Sequence, residues 1–151
     1  MVGRYEQIAV ELLESAFGDR WARDDTRIFS FGPDAGTGEV DGTIDGRIAV
    51  EIGVGSPKQI RASVLDLVLH PYPLKLLVLV DTPSHFAERS LRQSAAILSE
   101  LGSAGVVIHV ADSRYVGETE RRLSRLFAEA DEAGAVLIFS ESDDLLSDPG
   151  A

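Results

Sequence analysis

The stretch from Val40 to Gly53, VDGTIDGRIAVEIG, constrains the fold more than any other part of the chain. It places an Asp45-Gly46 pair, a dipeptide that favours the tight turn of a β-hairpin, between two strand-like segments. We therefore predict a strand over Glu39–Ile44, a turn at Asp45-Gly46 and a second strand over Arg47–Val54. The second strand is almost continuously apolar, which is typical of a strand buried on both faces in the middle of a sheet.

Two acidic residues flank this turn, Asp41 near the start of the first strand and Glu51 near the end of the second. Folding of the hairpin brings them toward each other. A buried unpaired carboxylate is costly, so function explains Glu51 in an apolar strand more readily than structure does. Asp41 is open to both interpretations, as a ligand or as an acid facing water. Two converging carboxylates make a candidate site for a hard cation, since Mg²⁺ binds through one or two carboxylates together with waters and substrate phosphates.

Apolar periodicity and capping residues place the remaining elements around this hairpin. Helices are predicted over Tyr5–Phe17, Ser56–Leu69, Ser84–Leu101 and Glu118–Ala130. Further strands are predicted over Thr26–Phe31, Lys75–Val80, Gly105–Val110 and Ala135–Phe139. The three early strands are close enough in sequence to form a meander, and helices separate the later strands, which implies a parallel extension. The sequence therefore predicts an α/β fold with a mixed central β-sheet flanked by helices.

The length of 151 residues predicts a single domain over residues 1–151, with an acidic tail at 140–151. The absence of cysteine excludes disulfides, thiolate zinc sites and a cysteine nucleophile. The chain has no signal-peptide pattern and no apolar run near the roughly 18 residues of a membrane helix, so we expect a soluble, cytoplasmic protein without a membrane partner. The formal net charge of −11 opposes a broad nucleic-acid interface but does not exclude a local basic groove.

The predicted order of helix, three strands, helix and strand, with an acid in the second strand and another in the third, resembles the restriction-endonuclease-like superfamily, whose signature is PD-(D/E)XK. The resemblance covers roughly Tyr5–Val80 as an αβββαβ core and leaves a C-terminal αβαβ segment as an extension. In that family the two acids bind Mg²⁺. The resemblance implies that Asp41 and Glu51 are catalytic residues that hold Mg²⁺, or Mn²⁺ in its place, and that the backbone carbonyl of Ile52 is a third metal ligand.

The chain departs from the family pattern at the lysine of the signature, where it has Gly53. That lysine helps to position and activate the attacking water, and some members carry it on a neighbouring element. The resemblance therefore implies Lys58 as the substitute catalytic residue, with Gln59 and Arg61 as alternatives at the start of the same helix. Glu11 matches, by location only, the first-helix acid that sometimes completes the family's site. The structural alternatives are an exposed first-turn lysine and a surface helix acid.

These residues lead to three hypotheses about function. The resemblance implies a Mg²⁺-dependent nuclease that hydrolyses DNA phosphodiester bonds, and it implies a homodimer because many relatives use two active sites for two strands. The second hypothesis is a catalytically degenerate relative that serves as a binding or assembly module, which Gly53 and the negative charge favour. The third is an unrelated α/β domain with incidental acids, which a large separation of Asp41 from Glu51 would favour.

Overall fold

The computed structural model describes residues 4–23, 28–80, 84–110 and 116–140. Its α-helices are α1 (Arg4–Phe17), α2 (Pro57–Leu69), α3 (Ser84–Glu100) and α4 (Val116–Ala133), with a short 3-10 helix at Gly18–Arg20. Its strands are β1 (Trp21–Ala22), β2 (Phe29–Ser30), β3 (Thr37–Gly38), β4 (Gly42–Ile44), β5 (Ile48–Val54), β6 (Leu74–Val80), β7 (Ala104–Val110) and β8 (Val136–Ser140). The four predicted helices are confirmed, each with ends within about three residues of the prediction.

Six strands form one mixed sheet in the order β1-β4-β5-β6-β7-β8. The pairs β1–β4 and β4–β5 are antiparallel, and each later pair is parallel. The helices α2, α3 and α4 connect the parallel strands in turn, as parallel neighbours require. The predicted α/β fold with a mixed sheet flanked by helices is therefore confirmed.

The helices cover the sheet on both faces. Buried side chains of α1 and α4 pack with one set of strand residues, and those of α2 and α3 pack with the other set. Alternation along β5 assigns Ile48, Val50 and Ile52 to the α1–α4 face, and it assigns Glu51 and Gly53 to the α2–α3 face. The carboxyl group of Glu51 thus enters the layer between the sheet and α2.

The hairpin between β4 and β5 turns at the predicted dipeptide. Asp45 and Gly46 have φ angles of 56° and 62°, the left-handed values that this kind of turn requires. The N–H of Arg47 donates to the carbonyl of Ile44 at 3.0 Å and closes the turn. Arg20 binds the Asp45 carboxylate at 2.7 Å, and this contact lowers the pKa of Asp45. The turn fixes which residues of the two strands face each other.

The first strand of the meander is not the predicted one. Residues 26 and 27 of the predicted Thr26–Phe31 strand lie outside the described part of the chain, and Phe29–Ser30 pairs with Thr37–Gly38 in a separate two-stranded ribbon. The strand beside β4 is Trp21–Ala22. Gly42 makes this pairing possible, because a Cβ there would lie only 2.4 Å from the Trp21 ring. A strand of two residues has no alternation that the sequence could reveal.

Two further predictions concern the acidic C-terminal tail and the absence of a membrane helix. The predicted acidic tail falls outside the described residues except for Ser140, the last residue of β8. Among the described residues, no helix combines the length and the apolar character that a membrane crossing requires.

Candidate metal centre

The structure brings Asp41, the residue immediately before β4, together with Glu51 of β5. The backbone N–H of Asp41 donates to the Val50 carbonyl at 3.0 Å, and its carboxylate accepts a 2.7 Å hydrogen bond from the N–H of Ile52. Asp41 is therefore hydrogen-bonded to Val50 and Ile52, the two residues of β5 on either side of Glu51 in the sequence.

Glu51 is the most strongly perturbed acid in this region. Its side chain is only 6% exposed. Burial raises its pKa to about 10, with further contributions from the charge of Asp41, a hydrogen bond to the Asp41 side chain, and the charges of Asp66 and Glu39. Glu51 is therefore protonated at neutral pH, with its side chain hydrogen-bonded to that of Asp41. A carboxyl group in this state becomes ionised when a cation supplies the missing positive charge.

Two further acids surround this pair, and the sequence interpretation did not include them. Asp66 on α2 is half-buried, and burial together with the charge of Asp41 raises its pKa. Glu39 precedes Asp41 by two residues and acts on the pKa of Glu51. Asp66 follows Gln59 by seven residues, which is two helical turns, so helical spacing alone places both on one face of α2.

The basic and amide residues at the start of α2 are not in contact with the two acids. Lys58 is exposed. Gln59 belongs to the N-terminal cap of α2, where its Oε1 accepts from the N–H of Ser56 at 2.9 Å. Arg61 donates to Gln93 on α3 at 3.4 Å. Within the described residues, none of Lys58, Gln59 and Arg61 forms a hydrogen bond or ion pair with Asp41 or Glu51.

Packing explains the glycine at the lysine position of the signature. A Cβ on Gly53 would lie 2.8 Å from Cδ2 of Leu79 and 3.7 Å from Cγ1 of Ile60. Leu79 and Ile60 are buried core residues of β6 and α2. The glycine therefore lets α2 pack closely on the sheet, and a lysine in its place would have to displace this layer.

A buried lysine does occur on the neighbouring strand. Lys75 of β6 pairs in register with Ala49, two residues before Glu51, so its side chain leaves the same face of the sheet. Its Nζ donates to the carbonyl of His70 at 2.5 Å, and burial lowers its pKa to about 8. This contact directs the ammonium group away from the acids. The sequence predicted Lys75 as the first residue of a buried strand and assigned it no role in the metal site.

The predicted first-helix acid does not line the cavity beside Asp41. Glu11 is exposed and accepts a 3.4 Å hydrogen bond from Gln7 one turn earlier on α1. The α1 residue that approaches Asp41 is Glu6, which lines a cavity of about 210 Å³ beside it. The other lining residues of this cavity are Trp21, Arg23, Glu39, Val40, Asp41 and Ile52.

The donor set fits a hard divalent cation held by few protein ligands. Asp41 and Glu51 supply carboxylate oxygens, the atoms that Mg²⁺ prefers, and Mg²⁺ keeps several waters when one or two carboxylates bind it. In the described part of the chain, no group of three or more acidic or histidine side chains is placed so that it could hold a metal ion. The carbonyl of Ile52 stays a predicted ligand, and the N–H of the same residue already positions Asp41.

Comparison of the chain with models of known protein families, with curated proteins and with solved structures gave no match.

Proposed function

We propose that the protein is a Mg²⁺-dependent nuclease that hydrolyses DNA phosphodiester bonds, with Asp41 and Glu51 as the metal ligands. One observation carries the proposal. The hairpin brings a half-buried and a buried carboxyl group into contact, and the buried one is held in its protonated form among acids. A site of this kind binds a divalent cation with relief of charge repulsion.

The surroundings of the two acids support the proposal. Asp66 and Glu39 add negative charge to the same place, which strengthens the attraction for a cation. The hydrogen bond from the N–H of Ile52 holds Asp41 in one orientation, and such support makes a carboxylate a better-defined ligand. Mg²⁺, when bound, would polarise a phosphoryl oxygen and activate a water molecule.

The remaining groups have narrower roles in the proposed reaction. Asp41 and Glu51 would hold the cation beside the bound phosphate. Lys58, exposed at the start of α2, is proposed to contact the phosphate when DNA binds, because it is not committed to another described partner. The proposal also includes the predicted homodimer, in which two active sites would act on the two DNA strands.

A second function, a binding or assembly module, is favoured by a specific observation. The signature lysine is replaced by a glycine that packs against Leu79 and Ile60, and Lys58 does not contact the acids. A site that binds the cation without a nearby base or charge to activate water would bind nucleic acid or a protein without cleaving it. The net charge of −11 also weakens binding to DNA, because the phosphate backbone is negatively charged as well.

Cleavage of plasmid DNA in Mg²⁺ or Mn²⁺ tests the first function. We expect Asp41→Asn to lower cleavage at least about 100-fold, since loss of even an outer-shell partner of a metal ligand costs 10–100-fold. Glu11→Gln, which removes an exposed acid elsewhere on the surface, is the matched control and should cleave like the wild type. Equal cleavage by the wild type and Asp41→Asn would contradict the proposal.

Calorimetry separates the two functions if the wild type does not cleave. Heat of Mg²⁺ binding that disappears in Asp41→Asn, together with duplex binding, supports the module. Absence of both metal and DNA binding eliminates the nuclease and the DNA-binding form of the module alike, and it leaves a protein partner as the remaining option.

A further inference from the structure

The six-stranded sheet ends on one side in β8, and the outer edge of this strand is open. β8 pairs with β7, and among the described residues no strand pairs with its other side. Its sequence, VLIFS, contains neither a charged residue nor a proline, two devices by which edge strands avoid pairing with another chain. The opposite edge of the sheet is β1, which has only two residues. β8 is therefore the edge that offers a long row of backbone groups.

The register of β8 on β7 shows which backbone groups point outward. The N–H of Gly105 donates to the carbonyl of Ala135 at 3.0 Å, so residue 135 directs its backbone polar groups toward β7. This direction alternates from residue to residue along an extended strand. The N–H and C=O groups of Val136, Ile138 and Ser140 therefore point away from β7. Another extended strand presents the matching row of donors and acceptors.

Apolar side chains are only partly covered on both faces of the sheet at this edge. Val136 and Ile138 pack against the α2–α3 layer and are half-buried. Leu137 packs against the α1–α4 layer and is half-buried as well, as is Leu126 of α4. A strand that joins β8 and carries apolar side chains on both of its faces would cover these residues.

We propose that this edge binds a second copy of the chain, with the two β8 strands antiparallel about a two-fold axis. Pairing centred on Ile138, the middle residue of the strand, forms about six backbone hydrogen bonds, three donated by each copy. It places Ile138 against the partner's Ile138 on the α2–α3 face. On the other face it places Leu137 against the partner's Phe139. The resulting interface is closed, because each copy uses the same surface.

The charges along α4 favour a second copy over an unrelated strand. The guanidinium of Arg122 lies 5.2 Å from the ring centroid of Phe139, so the stripe of α4 around Arg122 is on the β8 side. Helical spacing places Leu126 and the exposed Arg125 and Glu129 on or beside this stripe. A two-fold axis through the β8 pair sets the two α4 helices antiparallel on one face of the joined sheet. The two arginines of each copy then lie opposite the glutamate of the other, with Leu126 between them, so the charges of this stripe complement themselves.

The interface does not depend on the proposed metal centre. Glu51 is on β5, and β6 and β7 separate this strand from β8. The inference gives a specific geometry to the homodimer included in the proposed function, since the two-fold axis places both Glu51 side chains on the same face of one continuous sheet. Dimerisation and cleavage can therefore be lost separately.

Sedimentation equilibrium of the full chain in the absence of metal tests the interface, at protein concentrations of about 1–100 µM. We expect a dimer with a Kd in the micromolar range, as interfaces of modest area give. Ile138→Pro removes an outward N–H and leaves the hydrogen bonds to β7 in place, so it is expected to fold and to be monomeric. A monomeric wild type would overturn the inference, whether residues 141–151 or a strand of another protein cover the edge.

Charge reversal on α4 tests the same contact without altering β8, and it decides the question if Ile138→Pro does not fold. Glu129→Arg places like charges opposite each other twice in the dimer and is expected to raise its Kd at least about tenfold. Addition of Arg125→Glu restores opposite charges and should recover much of the affinity. Glu11→Arg, the same charge change at an exposed position of α1, is the matched control and should dimerise like the wild type. A dimer that Glu129→Arg or a folded Ile138→Pro leaves unchanged would overturn the inference.

Cleavage assays on the same proteins separate failure of this inference from failure of the proposed nuclease. Asp41→Asn leaves β8 and α4 unchanged, so this variant is expected to lose cleavage and to remain a dimer. A wild-type dimer that depends on Glu129 but cleaves no DNA would contradict the nuclease and support the interface. Cleavage by a monomeric wild type would contradict the interface alone.

Discussion

Replacement of Glu51 by glutamine is expected to stabilise the protein by about 3 kcal/mol at pH 7, an unusual direction for a buried polar residue. Glutamine has nearly the same shape as the protonated glutamate, and its amide can donate to Asp41 as the carboxyl proton does. The variant therefore keeps the contact seen in the folded state. It removes the need to take up a proton during folding.

The sign of this effect follows from the pKa of Glu51 in the two states. The folded-state pKa is about 10, and the reference value is 4.5. Between these values the carboxyl is protonated in the folded protein and ionised in the unfolded chain. The free energy of unfolding therefore falls by about 1.4 kcal/mol for each pH unit above 4.5, and this loss continues until the pH passes 10. Below pH 4.5 both states are protonated and the contribution of Glu51 is fully present.

Urea denaturation at pH 5, 7 and 9 measures the difference in the free energy of unfolding between the wild type and Glu51→Gln. All three pH values lie between the two pKa values of Glu51. The advantage of Glu51→Gln over the wild type should widen as the pH rises. Glu11→Gln is the matched control, because Glu11 is exposed and its replacement should change stability by less than about 0.5 kcal/mol. Parallel pH profiles for the wild type and Glu51→Gln would show that Glu51 is not protonated in the folded protein.

The same variant links stability to the proposed metal. A bound cation favours the ionised carboxylate, so Mg²⁺ should stabilise the wild type by mass action, and more at high pH than at low pH. Glu51→Gln has no carboxylate to ionise at this position and should gain much less. An equal gain in both proteins would place the cation elsewhere.

Replacement of Gly105 by alanine is expected to destabilise the protein by more than about 4 kcal/mol, the range that marks a specific structural collision. Gly105 is in β7, where it pairs with Lys75 of β6. A Cβ at this position would lie 2.0 Å from the carbonyl oxygen of Lys75 and 2.8 Å from its backbone nitrogen. Both contacts are with backbone in the middle of the sheet, so no side-chain rotation relieves them.

Gly102→Ala is the matched control for this substitution. Gly102 also has a positive φ, 80°, but a Cβ there meets nothing within 4 Å. The Gly102→Ala variant should lose only about 1 kcal/mol of stability, the cost of a left-handed conformation for a residue with a side chain. The difference between the two urea midpoints isolates the collision with Lys75. A difference below about 1 kcal/mol between the free energies of unfolding of the two variants would mean that β6 and β7 can move apart at Lys75 and Gly105 with little loss of stability.

The hairpin shows how far local sequence determines structure here. Asp45 and Gly46 adopt left-handed angles, so the turn depends only on residues that are adjacent in the chain. Once the turn is fixed, the alternation of side chains along a strand decides which residues share a face of the sheet. This alternation determines the face on which Glu51 lies. The approach of Asp41 to Glu51 was therefore predictable from a short stretch of sequence.

The edge of the sheet was not predictable in the same way. The strand Trp21–Ala22 has two residues and no periodic pattern, and it lies beside β4 because Gly42 leaves space for the Trp21 ring. The predicted edge strand instead contributes to a small separate ribbon. Pairing of distant segments depends on which side chains fit together, and this information is spread over residues far apart in the chain.

The sequence by itself determined the α/β class, the four helices, the turn at Asp45-Gly46 and the pair of acids, because each depends on spacing along the chain. Only the tertiary structure decided the rest of the site: Asp66 joins the acids from α2, Glu6 replaces Glu11 as the nearby acid of α1, and Trp21 closes a cavity. The physical reason is that burial and electrostatic coupling act through space. A carboxyl group acquires a pKa of about 10 from the layers packed around it, and its neighbours in sequence do not specify those layers.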